Sequence, residues 1–202
     1  MLTVINLNIS NLSSVLNALD YLGLKYQVSN DKEEIRNASA LLLPGVGTFA
    51  AGMDALRKHD LVDTIREEVL ENKKPLLGIC LGMQMFFETS DESPGAKGLC
   101  LFEGKVERLP SSEDYTIPRI GWGESRAKKD FFNLKKDDIA DFYYIHSFYA
   151  NPKDKAIVAI TSEKNDVTGA VQKDNIYGCQ FHPEKSHIAG LAILKEFARL
   201  AK

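Results

Sequence analysis

The chain has 202 residues, 44% of them hydrophobic and 26% charged, and a formal net charge of −3. That balance suits one domain over residues 1–202 with a sizeable core; it leaves no basic footprint for nucleic acid and no apolar run near the ~20 residues that a membrane helix needs. Three cysteines and four histidines are too few for a disulfide scaffold and lack the paired spacing of a zinc site, so no metal and no cofactor are expected.

Residues 1–5 are apolar without a basic leader and read as the start of a first strand, ending over 4–7, not as a signal peptide. Ser10 or Asn11 is placed to cap a helix whose stripe of Leu12, Val15, Leu16, Leu19 and Leu22 has helical spacing, and Gly23 stops it. Residues 26–28 read as a second strand and residues 40–43 as a third, ended by Pro44. Leu61, Ile65 and Val69 mark another helix. Residues 75–79 form an apolar strand, and a helical segment over 81–87 follows with no room for a loop. Strands alternating with helices imply a parallel sheet with right-handed crossovers, whose sites lie at the carboxyl ends of the strands. Cys80 and the loop over 44–47 both fall there. Residues 88–136 are less regular, with an edge strand expected over 105–109. Residues 142–146 and 156–160 read as strands, and 176–181 as the strand that delivers His182. Ile188, Leu191, Leu194, Phe197 and Leu200 line a closing helix. The expected class is α/β: a mostly parallel central sheet flanked by helices, with antiparallel strands in the C-terminal half.

Chemistry concentrates at Gly78-Ile79-Cys80-Leu81-Gly82, which has the form of a nucleophile elbow with sulfur in place of oxygen. A nucleophile in so sharp a strand-to-helix turn needs neighbours with little or no side chain. A free thiol titrates near pH ~8.5 and needs help to ionise at neutral pH. The N-terminus of the following helix offers some. His182 is the candidate base, and Glu184, two residues on, the group that orients it. Cys100 and Cys179, without such a setting, read as small core residues.

These residues resemble the class I, triad-type glutamine amidotransferases over the length of the chain. The family's elbow is matched by Gly78-Ile79-Cys80-Leu81-Gly82-Met83-Gln84, and its late catalytic element by Gln180-Phe181-His182-Pro183-Glu184-Lys185-Ser186. Within the family, Pro44-Gly45-Val46-Gly47-Thr48-Phe49, Gly121-Trp122 and Tyr143-Tyr144-Ile145-His146-Ser147-Phe148 are most similar to the glutaminase subunits of imidazole glycerol phosphate synthase. Two stretches depart from that branch. An Asp-Tyr-Gly-x-Gly-Asn type turn reads Asn6-Leu7-Asn8-Ile9-Ser10-Asn11, keeping only the final Asn, and a Gly-Trp-Asn segment reads Gly121-Trp122-Gly123-Glu124.

The resemblance implies hydrolysis of L-glutamine to glutamate and ammonia by Cys80, His182 and Glu184. The Leu81 N–H and a backbone N–H in Gly45-Val46-Gly47 would form the oxyanion hole, the glycine loop acting as a switch that the partner controls. Gln84 and Ser147 would contact substrate. Asn11, Trp122, Tyr143 and Lys185 would face a cyclase subunit with a (β/α)8 barrel. That subunit would use the ammonia to make imidazole glycerol phosphate and an aminoimidazole carboxamide ribotide in histidine biosynthesis. A reduced Cys80 fits the cytoplasm. The departures keep open a paralogous glutaminase that serves surface-sugar amidation. A non-catalytic regulatory subunit and a cysteine peptidase are further alternatives, and the intact triad and its His-Pro-Glu order disfavour them.

Overall fold

The computed structural model describes residues 1–8, 12–111, 116–162 and 166–201. The first half alternates as read: β1 (Leu2–Ile5), α1 (Ser13–Tyr21), β2 (Tyr26–Ser29), α2 (Lys32–Asn37), β3 (Ala40–Gly45), α3 (Phe49–Lys58), α4 (Leu61–Leu70), β4 (Leu76–Cys80) and the single turn α5 (Leu81–Gln84). The second half is strand-rich: β5 (Thr89–Ser90), β6 (Gly104–Arg108), β7 (Arg119–Ala127), β8 (Ile139–His146), β9 (Phe148–Pro152), β10 (Val158–Ser162), β11 (Val167–Lys173), β12 (Ile176–Cys179) and the closing helix α6 (His187–Ala198).

Nine strands make one sheet in the order β2-β1-β3-β4-β12-β11-β10-β7-β8. From β2 to β12 neighbours run parallel, and from β12 to β8 they run antiparallel. The expected division between a parallel part and an antiparallel C-terminal half is therefore met. Both faces of the sheet are covered at its centre, so β3 and β4 are apolar and buried at every position. In β3, Leu41 and Leu43 face one core with Met53, Leu56, Ile65 and Val69 of α3 and α4. Ala40 and Leu42 face the other, with Val15 and Leu19 of α1 and Ile193, Leu194 and Phe197 of α6. Leu61, Ile65 and Val69 are each fully buried, as their spacing predicts.

Gly23, at φ +66, ends α1; its N–H donates to Asp20 O and that of Leu24 to Leu19 O, a left-handed exit that suits glycine. The proposed caps of α1, Ser10 and Asn11, lie outside the described residues. At α2 the cap is Asp31, whose Oδ1 accepts from the N–H groups of Glu33 and Glu34. The opposite end of α2 is held by Lys74. Its buried ammonium donates to the carbonyls of Ile35 and Arg36 at 2.8 and 2.7 Å and pairs with Glu68 Oε2 of α4 at 2.7 Å. All three of its protons are thereby used.

Several expectations need correction. The strand over 105–109 is no edge: β6 is the middle strand of a second sheet, β5-β6-β9. Third-strand residues run on through Pro44 to Gly45. The helix after Cys80 stops at Gln84, because Phe86 and Phe87 already accept turn geometry, with N–H groups donating to Met83 O and Gln84 O. On α6 the buried stripe is Gly190, Ile193, Leu194 and Phe197. Leu194 and Phe197 of the expected stripe are thus buried and Leu191 packs against the core, but its ends are not part of it: Ile188 is 86% exposed and Leu200 lies beyond the helix, 38% exposed.

Candidate active site

β4 ends at Cys80, and α5 begins at the next residue. Cys80 itself takes φ 54°, ψ −111°, a left-handed value that a side chain adopts only under constraint. The two flanking glycines make the turn possible by close approach. A Cβ on Gly82 would sit 1.8 Å from the Leu43 carbonyl oxygen, and one on Gly78 2.6 Å from Met83 N. Because α5 is one turn long, its dipole is weak. The charge beside the sulfur comes instead from His182.

β12 runs parallel to β4, with Cys179 opposite Ile79. The residues that follow β12 therefore emerge beside Cys80. Phe181 anchors them, stacking on Phe142 of β8 with ring centroids 3.8 Å apart. His182 N–H donates to Tyr143 O at 2.9 Å. A 3-10 turn over Pro183–Lys185 follows, closed by Ser186, whose buried hydroxyl donates to His182 O and accepts from Tyr143 N. Across this turn Glu184 Oε1 lies 2.7 Å from His182 Nδ1, and both side chains are buried. Burial pulls the imidazole towards neutrality, but hydrogen bonds to Cys80 and Glu184, and their charges, outweigh it and push His182 up to about 10. The arrangement thus holds an imidazolium between a sulfur and a carboxylate, the order of a Cys-His-Glu triad.

Cys80 and His182 open onto a cavity of about 280 Å3 lined by Val46, Gly47, Leu81, Gln84, Ser147 and Glu92, among others. Gly45 sits opposite Cys80 in the ladder, and Gly47 follows at φ +96°, so the glycine loop borders Cys80. Gln84 and Ser147 are both at the wall, though the Gln84 amide already donates to Phe148 O at 2.8 Å. Lys185 lines the cavity too, and Tyr143 and Trp122 pack next to it. The Trp122 ring lies edge-on to Tyr143 at 5.8 Å and stacks on His187 at 4.6 Å, and the Lys185 ammonium lies 6.0 Å from the Tyr143 ring. Trp122 is 48% exposed, which excludes a core role for it. Asn11 lies outside the described residues.

Sequence reasoning missed three groups. Glu92 lines the cavity, and its Oε2 accepts from the first N–H of α3, Phe49, at 2.8 Å; nothing in its local sequence marks it. Ser186 was visible only as the end of the His-Pro-Glu element. His146 faces the cavity with Nδ1 2.9 Å from Phe148 O, and burial keeps it neutral, down at about 4. The Gly123 departure has a physical counterpart. An ideal Cβ there would lie 1.9 Å from Arg119 Nη2, and the Arg119 guanidinium sits 4.1 Å over the Tyr144 ring, so the missing side chain makes room for a buried cation.

Comparison with known proteins identifies the family. The family model "Glutamine amidotransferase class-I" matches residues 3–200. The imidazole glycerol phosphate synthase subunit HisH of Listeria monocytogenes serovar 1/2a is 40% identical over 197 residues, 98% of this chain and 94% of that protein. Its namesake in Bacillus cereus is 43% identical over 199 residues, 98% of this chain and 93% of that one. A crystal structure of a glutamine amidotransferase superposes with a TM-score of 0.79 at 18% identity, covering 98% of both chains. With a family model spanning nearly all of its length and relatives of this identity over nearly all of theirs, the chain belongs to the class-I glutamine amidotransferases.

Proposed function

We infer that the chain is the glutaminase subunit of an imidazole glycerol phosphate synthase in histidine biosynthesis. The observation that carries the chemistry is the buried line of Cys80, His182 and Glu184 at the edge of one cavity. Cys80 Sγ attacks the side-chain amide carbon of glutamine, giving a tetrahedral oxyanion. Its negative charge is met by the Leu81 N–H and an N–H of Gly45-Val46-Gly47, each such donor being worth about 2.7–4 kcal/mol of barrier. His182 gives its proton to the departing nitrogen, ammonia leaves, and a thioester remains on Cys80. His182 then takes a proton from water, the hydroxide cleaves the thioester, and glutamate is released with the thiol restored. Glu184 holds the imidazole in the tautomer that presents Nε2 to the sulfur. Glu92 offers a carboxylate to the substrate's α-ammonium, and Ser147 and Gln84 complete its seat.

Ammonia that reaches bulk water is protonated and lost as a nucleophile, so the reading includes a docked cyclase subunit with a (β/α)8 barrel that receives it. Trp122, Tyr143 and Lys185 form the face we assign to that partner. The chemistry described needs no cofactor. A working thiolate requires reducing surroundings, and Cys80, Cys100 and Cys179 are all unpaired with one another, in keeping with the cytoplasm. A second acceptor, as in a paralogue serving surface-sugar amidation, is motivated by the departure at Gly123-Glu124, where the branch reads Gly-Trp-Asn; Glu124 adds an exposed charge there.

The test is glutamine hydrolysis by the purified chain, alone and with the cyclase subunit of the same cell, with and without its ribotide substrate. The expected result is strong stimulation by the liganded partner and its loss in Cys80→Ala. Silence with that cyclase, while a glutamine-analogue electrophile still labels Cys80, would transfer the glutaminase to another acceptor.

A further inference from the structure

Gln180 is fully buried, yet its amide faces the reacting sulfur, with Nε2 3.6 Å from Cys80 Sγ. Which end of an amide faces a sulfur decides its effect: an N–H stabilises negative charge there, and a carbonyl oxygen opposes it. The orientation follows from the hydrogen-bond network. Phe148 O, a backbone carbonyl at the start of β9, can only accept. Gln84 Nε2 lies 2.8 Å from it, so the NH2 of Gln84 points that way. The same nitrogen lies 2.9 Å from the Gln180 amide, and the atom that faces an NH2 must be an acceptor. Gln180 Oε1 is therefore turned to Gln84, and the Gln180 NH2 is left facing Cys80. The sulfur also lies 3.8 Å from an acceptor, Ile145 O, and hydrogen-bonds with the His182 imidazole.

We propose that Gln180 is a further catalytic residue, holding an N–H on the Cys80 sulfur, and that Gln84 is a positioning residue which sets the polarity of that amide from Phe148 O. The pair fixes the direction of the sulfur and favours its charged form before attack. The proposal rests on the reading of Cys80 as the nucleophile. It also gives Gln84 a second duty beyond contact with substrate.

The experiment compares Gln180→Leu, Gln180→Met and Gln84→Leu with the wild-type chain, all of them without added charge. The last leaves Gln180 in place but removes the donor that holds the Gln180 oxygen away from the sulfur. Two readouts are taken: the pH dependence of iodoacetamide alkylation, resolved at the Cys80 peptide because Cys100 is exposed, and the kinetics of glutamine hydrolysis. The midpoint of Cys80 alkylation is expected to rise by about one pH unit or more in each variant. In the Gln180 variants kcat is expected to fall roughly ten- to one-hundred-fold with KM changed by less than about three-fold. A merely structural role would leave the alkylation midpoint in place. Thermal melts identify any variant that fails to fold, and Gln84→Leu, which leaves Gln180 in place, then carries the comparison. Native alkylation midpoints and near-native kcat in the folded variants would overturn the proposal. A wild-type chain that alkylates at Cys80 and hydrolyses no glutamine would overturn the glutaminase reading, while the alkylation comparison would still decide the role of Gln180.

Discussion

His182 is held charged by two neighbours of opposite kind, a sulfur in front and a carboxylate behind, and this makes its pH behaviour specific. Its folded value, up at about 10, lies above the ordinary 6.5. A group raised in this way contributes stability fully below its unfolded value and loses it as pH rises through the folded value. The triad should therefore hold its charge through neutral pH and lose it towards pH about 10. Removing the carboxylate charge in Glu184→Gln takes away one cause of the elevation. The alkaline fall in kcat/KM should move to lower pH, and the chain should lose stability at neutral pH. A pH–rate profile that keeps its alkaline limb unmoved in Glu184→Gln would show that Glu184 contributes geometry alone. The three triad residues were legible in the sequence because each carries a local mark: glycines two residues either side of Cys80, and a proline between His182 and Glu184. Glu92, His146 and the Gln180–Gln84 contact were not, because packing brings them together from positions far apart. Glu92 meets Phe49 across 43 residues, and Gln180 meets Gln84 across 96.

At the scale of elements, the parallel sheet needs its short helix α2 held at both ends, and only one of those ends shows in sequence. Asp31, followed three residues later by Glu34, is a capping pattern. With Ile35 the only buried side chain of the helix, however, there is no periodic stripe to count. The far end depends on Lys74, a residue of the link into β4, whose partners Ile35, Arg36 and Glu68 lie on two other elements. Lys74→Met should leave two helix-end carbonyls and a buried carboxylate without their cation, a loss of about 3–5 kcal/mol. Lys74→Met combined with Glu68→Leu should recover part of that loss, since no buried charge is then left alone. Urea unfolding checks both; equal losses in the single and double variants would place the cost in the carbonyls. The same distinction explains the other elements. α4 was visible because Leu61, Ile65 and Val69 keep helical spacing and all point inward. β7 and β11 were not. On β7 the polar Arg119 and Ser125 are buried while the apolar Ile120 and Trp122 are exposed, against the pattern that marks a half-buried strand.

That inversion on β7 has its reason at the scale of the whole molecule. The antiparallel half of the sheet contributes no member of the triad; it builds a face beside it. On β7 and β8, Ile120 lies opposite Ile145 and Trp122 opposite Tyr143, and Ile120 is 62% and Trp122 48% exposed, with Ile188 of α6 at 86%. Apolar side chains grouped on a surface mark a place where another molecule sits. Tyr143 ties that face to the chemistry. Its ring packs with Trp122 and Lys185, while its backbone carbonyl holds His182 N–H and its own N–H holds Ser186. A partner that pressed on Trp122 and Tyr143 would therefore act one hydrogen bond from His182, the base we propose, a short path by which docking would stimulate hydrolysis. Trp122→Ala should remove the largest exposed ring of the face, and central aromatic residues of this kind are typically worth at least about 2 kcal/mol, roughly thirty-fold in Kd. Titration of the cyclase subunit against the Trp122→Ala chain should then show stimulation shifted to higher partner concentration. Its saturating rate should stay near the native one, because Tyr143 still holds His182. An unshifted titration would move the docking face elsewhere, and a native Kd with a lost maximum would instead make Trp122 part of the path from partner to base.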